Sequence, residues 1–201
     1  MPRLSSVLQP GRALAVIRAV AKGHWYKFWL PLRGQQFRAG RNFRVRGRLV
    51  VRGPGRVIFG DNVLVEMLVT PFTHAAEATI HVGDRVFLNG TRFGCAREIR
   101  VGDDCIVAES RIMDTDFHSM SVKRHDSDAP IRVLPVNIGR NVWIAAEVGI
   151  LPGTTIGENS VVGFGSVCSG RYPSNALIAG NPASVKRAIT DAGMPPAETA
   201  G

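Results

Sequence analysis

The first 60 residues contain no aspartate and no glutamate, yet they carry 13 lysines and arginines. All 16 acidic side chains lie beyond residue 60, with only 12 basic ones beside them. The net charge of +9 therefore belongs to the N-terminal block. Such a block points to an anionic neighbour: a membrane surface, an acidic glycan, a phosphorylated substrate or nucleic acid. Cysteine is scarce as well. Cys95, Cys105 and Cys168 form no C-x-x-C pair, which argues against a zinc knuckle and a disulfide scaffold and suits a reducing cytoplasm. Their simplest reading is as three small buried hydrophobes. No apolar run is long enough to cross a bilayer. Arg18, Lys22 and Lys27 interrupt residues 12–32, so a secretory signal fits poorly.

What the chain does have is a rhythm of six. Ile138, Ile144, Ile150, Ile156 and Val162 each open a six-residue unit: IGRNVW, IAAEVG, ILPGTT, IGENSV, VGFGSV. Neither a helix nor a simple strand repeats every six residues, whereas a parallel β-helix does. The aliphatic that opens each unit points inward and stacks on its counterpart one coil away. The small residue after it (Gly139, Ala145, Gly157, Gly163) eases a corner. Three units close one triangular coil. The phase recurs at Phe59, Val82 and Val101. Departures from it locate insertions: about five extra residues near Pro71 to Thr79, and a non-repeating segment from Asp114 to Val136 read as a loop leaving the coil.

The expected organisation is a basic N-terminal segment over residues 1–42, a β-helix over 43–189 carrying the loop 114–136, and a flexible tail over 190–201. Residues 1–11 read as a loose terminus. Residues 12–32 predict one or two short helices, weakened at Gly23 and ended by Pro31. Trp25, Tyr26, Phe28 and Trp29 have two readings: a lid over the open end of the β-helix, which we prefer, or an interfacial helix on an anionic leaflet. Ala183 to Ile189 predicts a short terminal helix.

DTDFH at 114–118, PVNIGRNVWI at 135–144, ILPGTTIGENSVVGFGS at 150–166 and AGNPASVKR at 179–187 follow one another in this order. Over residues 43–189 the chain resembles the hexapeptide-repeat acyltransferases, above all the sugar O-acetyltransferases of bacterial polysaccharide assembly. The resemblance implies an all-β, left-handed parallel β-helix and a homotrimer with active sites between subunits. It also implies acetyl-CoA as donor, a sugar or glycan hydroxyl as acceptor, and no metal. The cysteines suit a cytoplasmic location, and the interfacial-helix alternative for residues 12–32 would add peripheral contact at an anionic inner-membrane face.

Acyl transfer from a thioester needs a base for the acceptor's proton, and histidine suits that task near neutral pH. Of His24, His74, His81, His118 and His125, the resemblance selects His118 as the base. Asp116 is the preferred carboxylate to orient it, and Asp114 is left to substrate contact. Asn89 matches an asparagine that would donate to the oxyanion; its plain alternative is a turn residue before Gly90. Trp143, Ala146, Phe164 and Ser169 match positions near the pantetheine arm, and Lys186 and Arg187 match a basic pair near the nucleotide phosphates. Ala145, Phe164 and Gly170 depart from the family pattern, and the bulk of Phe164 bears on the acyl group accepted.

Other readings remain. The same fold carries sugar N-acyltransferases. A γ-type zinc carbonic anhydrase would need three converging histidines, with His81, His118 and His125 as candidates. A non-catalytic binding module has no need of His118. Nucleic-acid binding would rest on charge alone, since no reading motif accompanies it.

Overall fold

The computed structural model describes residues 10–190. The expected loose start and flexible tail fall largely outside these residues. The chain winds through three parallel sheets in strict rotation. The first holds Gln36–Ala39, Arg56–Phe59, Thr79–Val82, Glu98–Val101, Val136–Ile138, Thr155–Ile156 and Arg171–Tyr172. The second holds Arg44–Val45, Leu64–Glu66, Phe87–Asn89, Ile106–Ala108, Trp143–Ile144, Val161–Val162 and Ala176–Gly180. The third holds Arg48–Leu49, Leu68–Thr73, Arg92–Cys95, Arg111–Met113, Gly149–Ile150 and Val167–Cys168. The coil therefore starts at Gln36, seven residues before the expected boundary at Phe43; Phe37 pairs with Val57 in register and both are buried.

Each sheet buries one residue per strand position in an unbroken column. Val65, Leu88, Val107, Ile144, Val162 and Ile178 form one such column in the second sheet. Strands ~4.8 Å apart put these side chains in van der Waals contact along the whole coil. Cys95, Cys105 and Cys168 are free and lie in this core, as the sequence implied.

The corners explain the rest of the hexapeptide. Between the first and second sheets, Asp84 accepts the amide of Asp61 at 2.7 Å, and Asp103 accepts that of Asp84 at 2.8 Å. A Cβ on Gly60 would overlap the Asp84 carboxylate, so glycine precedes the aspartate. Lower down, Asn141, Asn159 and Asn175 take positive φ and pass side-chain hydrogen bonds of 3.0 and 3.1 Å from rung to rung. Asparagine tolerates that left-handed backbone.

One helix, α1 (Pro10–Leu32), closes the N-terminal end. It is continuous through Gly23, and Pro31 sits in its last turn. Ala19, Gly23, Tyr26 and Leu30, spaced 4, 3 and 4 residues, form the stripe against the coil. Tyr26 Oη accepts the Leu49 amide at 3.2 Å. Beneath lies an aromatic plug: the Phe37, Phe43 and Phe59 rings sit 5.5–5.9 Å apart. The lid is thus built from Tyr26 and Leu30. Trp25 and Phe28 face away from the coil, and Trp25 stacks on Trp29 at 5.7 Å.

The expected terminal helix is a strand. Ala183–Ala188 turns back at Gly180 and pairs antiparallel with Ala176–Gly180. Six residues are too few to nucleate a stable helix in isolation, while the last rung offers an unpaired strand edge that this segment covers.

Candidate active site

Both insertions in the repeat leave from the same corner, where the third sheet passes to the first. The longer one leaves between Arg111–Met113 and Val136–Ile138. Its neck is closed by an antiparallel bridge between Thr115 and Val133, by Leu134 donating to the Asp114 carbonyl at 2.8 Å, and by Asp116 donating to the Arg132 carbonyl at 3.2 Å. Beyond the neck, Met120 and Val122 are exposed, Val122 at 93%. His118 lies here, exposed to solvent, with no side-chain hydrogen bond among the described residues.

The two aspartates of DTDFH do other work than expected. Asp114 is fully buried and accepts the amides of Ala96, Arg97 and Glu98 at 2.6–2.7 Å. It caps three consecutive N–H groups of the rung below and is closed to any acceptor sugar. Asp116 grips Arg132 with both oxygens, at 2.9 and 3.2 Å. That bidentate pair is the strongest local partner available to it. The pair braces the neck, and Asp116 does not orient His118.

A second imidazole joins the site. His74 lies in the shorter insertion, its ring 4.1 Å from Phe72 and 4.6 Å from Phe117. Burial between those rings holds its pKa below the usual histidine value, and the Asp114 charge opposes that shift. Phe117 in turn lies over Gly94, where a Cβ would strike its ring. Sequence reasoning singled out His118 and passed over His74. The available signal was the phase break near Pro71 to Thr79, which put His74 in an insertion two rungs from DTDFH.

The remaining candidates divide between corners. Ser169 follows Val167–Cys168 and shares the corner of His118. Asn89, Ala146 and Phe164 lie at the corner between the second and third sheets, where Gly165 donates to the Ala146 carbonyl at 3.1 Å and Phe164 is 73% exposed. Lys186 and Arg187 are on the terminal strand, not a helix. The Lys186 ammonium approaches the Gly180 turn, and Arg187 pairs in register with Leu177. Trp143, Val161, Leu177 and Arg187 therefore form one outward column of the second sheet. Three strand spacings, about 14 Å, separate its tryptophan from its arginine. A protomer does not bring Asn89 beside His118. The four residues Arg92–Cys95 run between their corners, about 13 Å at ~3.3 Å per residue.

His81, His118 and His125 do not converge. His81 stands on the first sheet between Ile58 and Arg100, and no metal-holding group of three or more His, Cys, Asp or Glu occurs among the described residues.

Residues 135–170 match the family model of the bacterial transferase hexapeptide (six repeats). The chain is 32% identical over 158 residues to WbbJ of Escherichia coli K12, a protein named for O-acetyl transfer in lipopolysaccharide biosynthesis; the match covers 72% of this chain and 79% of that one. The chain belongs to the hexapeptide-repeat transferases. Within that family it is also 32% identical over 133 residues to galactoside O-acetyltransferase of E. coli K12, covering 66% of this chain. It spans 64% of the length of that enzyme and 65% of that of a yeast relative. Among solved structures, the N-acyltransferase AntD of Bacillus cereus, in complex with dTDP and coenzyme A, has the same fold. Its TM-score is 0.65 at 18% identity, over 80% of this chain and 87% of that one.

Proposed function

We propose that this protein transfers an acetyl group from acetyl-CoA directly to a hydroxyl of a glycan or of a lipid- or nucleotide-linked sugar, with His118 as general base. The observation that carries this reading is His118 itself: an exposed imidazole on the longer of two excursions from the coil, braced at its neck by the Asp116–Arg132 pair. Relatives named for galactoside O-acetylation and for O-acetyl transfer in lipopolysaccharide biosynthesis support the chemistry.

In this reading a ring nitrogen of His118 takes the acceptor's hydroxyl proton as the oxygen attacks the thioester carbon. The Asn89 amide donates to the oxyanion of the tetrahedral intermediate. As the C–S bond breaks, the proton on the imidazolium passes to the leaving thiolate. The donor's arm runs along the Trp143–Arg187 column past Ala146 and Phe164, and Lys186 and Arg187 offer cations to its phosphates.

Self-association belongs to the same proposal. The outward column of the second sheet reads Leu64, Phe87, Ile106, Trp143, Val161 and Leu177, with Ile106 and Trp143 about half exposed. An apolar stripe of that length calls for a partner. A homotrimer would set the Asn89 corner of one copy against the His118 excursion of the next.

Contact with an anionic membrane is supported by α1. Leu14, Ile17, Trp25, Phe28 and Leu32 are exposed on the side opposite the lid stripe, with Arg18 beside them. No helix among the described residues is long and apolar enough to cross a bilayer. The contact would therefore be peripheral.

The decisive experiment is CoA release from acetyl-CoA with galactoside and polysaccharide acceptors. His118→Ala should lower turnover about a hundredfold or more while the protein stays folded. Undiminished turnover by a folded His118→Ala protein would remove this histidine from the chemistry.

A further inference from the structure

The outer face of the third sheet holds a groove of about 690 Å³ that runs between the two corners carrying the candidate residues. At one end it reaches Gly90, beside Asn89. At the other it reaches Phe72, which touches His74 and, through Phe117, the His118 excursion. Arg48, Arg52, Arg92 and Arg111 line it.

These four arginines lie together on one face of the coil. Four arginines outside the groove are each answered by an acid on an adjoining rung: Arg41 by Asp61 and Arg46 by Glu66 at 2.7 Å, Arg85 by Asp104 at 2.6 Å, Arg140 by Glu158 at 3.4 Å. None of the four groove arginines has an ion pair among the described residues. Arg92 and Arg111 are direct register partners, so two like-charged side chains leave neighbouring strands ~4.8 Å apart. Like charges directly opposite one another destabilise a sheet. Glu109 and Glu147 lie at the Gly90 end, and neither pairs with these arginines.

We propose that this groove binds an anionic glycan, its carboxylates held by Arg48, Arg52, Arg92 and Arg111. The planar guanidinium fork suits a carboxylate held by two parallel hydrogen bonds. Exposed Met67 and Leu68 and the ring of Phe72 offer apolar surface to the C–H faces of the sugar rings. Glu109 and Glu147 offer acceptors to sugar hydroxyls near Asn89. The glycan's role as acetyl acceptor rests on the transferase reading; its binding does not.

Calorimetric titration with oligogalacturonate, with neutral maltohexaose of matched length and with inorganic pyrophosphate tests this, all without acetyl-CoA. Oligogalacturonate should bind, more weakly as salt rises, and maltohexaose should not. Arg92→Ser with Arg111→Ser should weaken binding roughly a hundredfold, about tenfold for each guanidinium–carboxylate pair removed. Equal binding of the neutral sugar, pyrophosphate binding as tightly as the oligosaccharide, or an indifferent double variant would each overturn the proposal. So would absent glycan binding together with a changed oligomeric state of the double variant by light scattering, which would assign the arginines to an interface between copies. Galactoside acetylation, measured separately, reports on the transferase reading independently.

Discussion

Individual residues in this coil are chosen by their corner or column. Asp114 illustrates the point. In the sequence it stands four residues from the candidate base, inside the same DTDFH motif. In the fold its carboxylate is spent on three amides of the rung below, and no oxygen is left for substrate. The buried thiols make a similar case at the level of protonation. Burial raises the Cys105 and Cys168 thiols from 9.0 to about 11. Between pH 9 and 11 the unfolded chain therefore gives up thiol protons that the folded chain keeps. Stability should fall as pH rises through that window, by up to about 1.4 kcal/mol per pH unit for each such thiol. Urea titrations at stepped pH should show a shallower fall for Cys105→Ala than for the parent protein. Identical slopes would mean that this thiol is not held protonated by the core.

At the scale of elements, propensity and packing make opposite claims on α1. Glycine in mid-helix costs about 1 kcal/mol relative to alanine, which is why Gly23 reads as a break. Here the coil approaches so closely that a Cβ on Gly23 would overlap the Phe43 carbonyl oxygen, which is backbone and cannot swing aside. Gly23→Ala should therefore destabilise the protein, by more than about 1 kcal/mol, despite the better helix former. A rise in the denaturation midpoint would show that the lid tolerates lifting from the coil. The same competition decides the C-terminal strand. Residues 183–188 read locally as part of a short helix, and the open edge of the last rung overrides that reading. The hexapeptide units needed no such arbitration, because inward aliphatic, small corner residue and left-handed asparagine all point to the same rung.

For the whole molecule, the division of the candidate site between two corners makes a prediction about mixing. If Asn89 of one copy meets His118 of the next, co-expressed His118→Ala and Asn89→Ala chains should recover activity that neither has alone. Mixed assemblies would then contain some sites with both native residues. No recovery in verified hetero-oligomers would place the whole site within one protomer. Ile106→Glu, at the middle of the apolar column, should shift light-scattering mass toward the monomer and abolish turnover with it.

The period of six, the inward columns, the two interruptions and the histidine on the longer one can all be read from the chain alone. These are local properties, since each unit obeys the same packing rule as its neighbours. Tertiary structure decided the rest. It alone gave Asp114 to the scaffold and Asp116 to Arg132, brought His74 to Phe117, made a strand of the last segment, and set four arginines along one groove with no ion pair among the described residues. Those outcomes depend on which residues meet across rungs some twenty positions apart, where a single inserted residue shifts every partner.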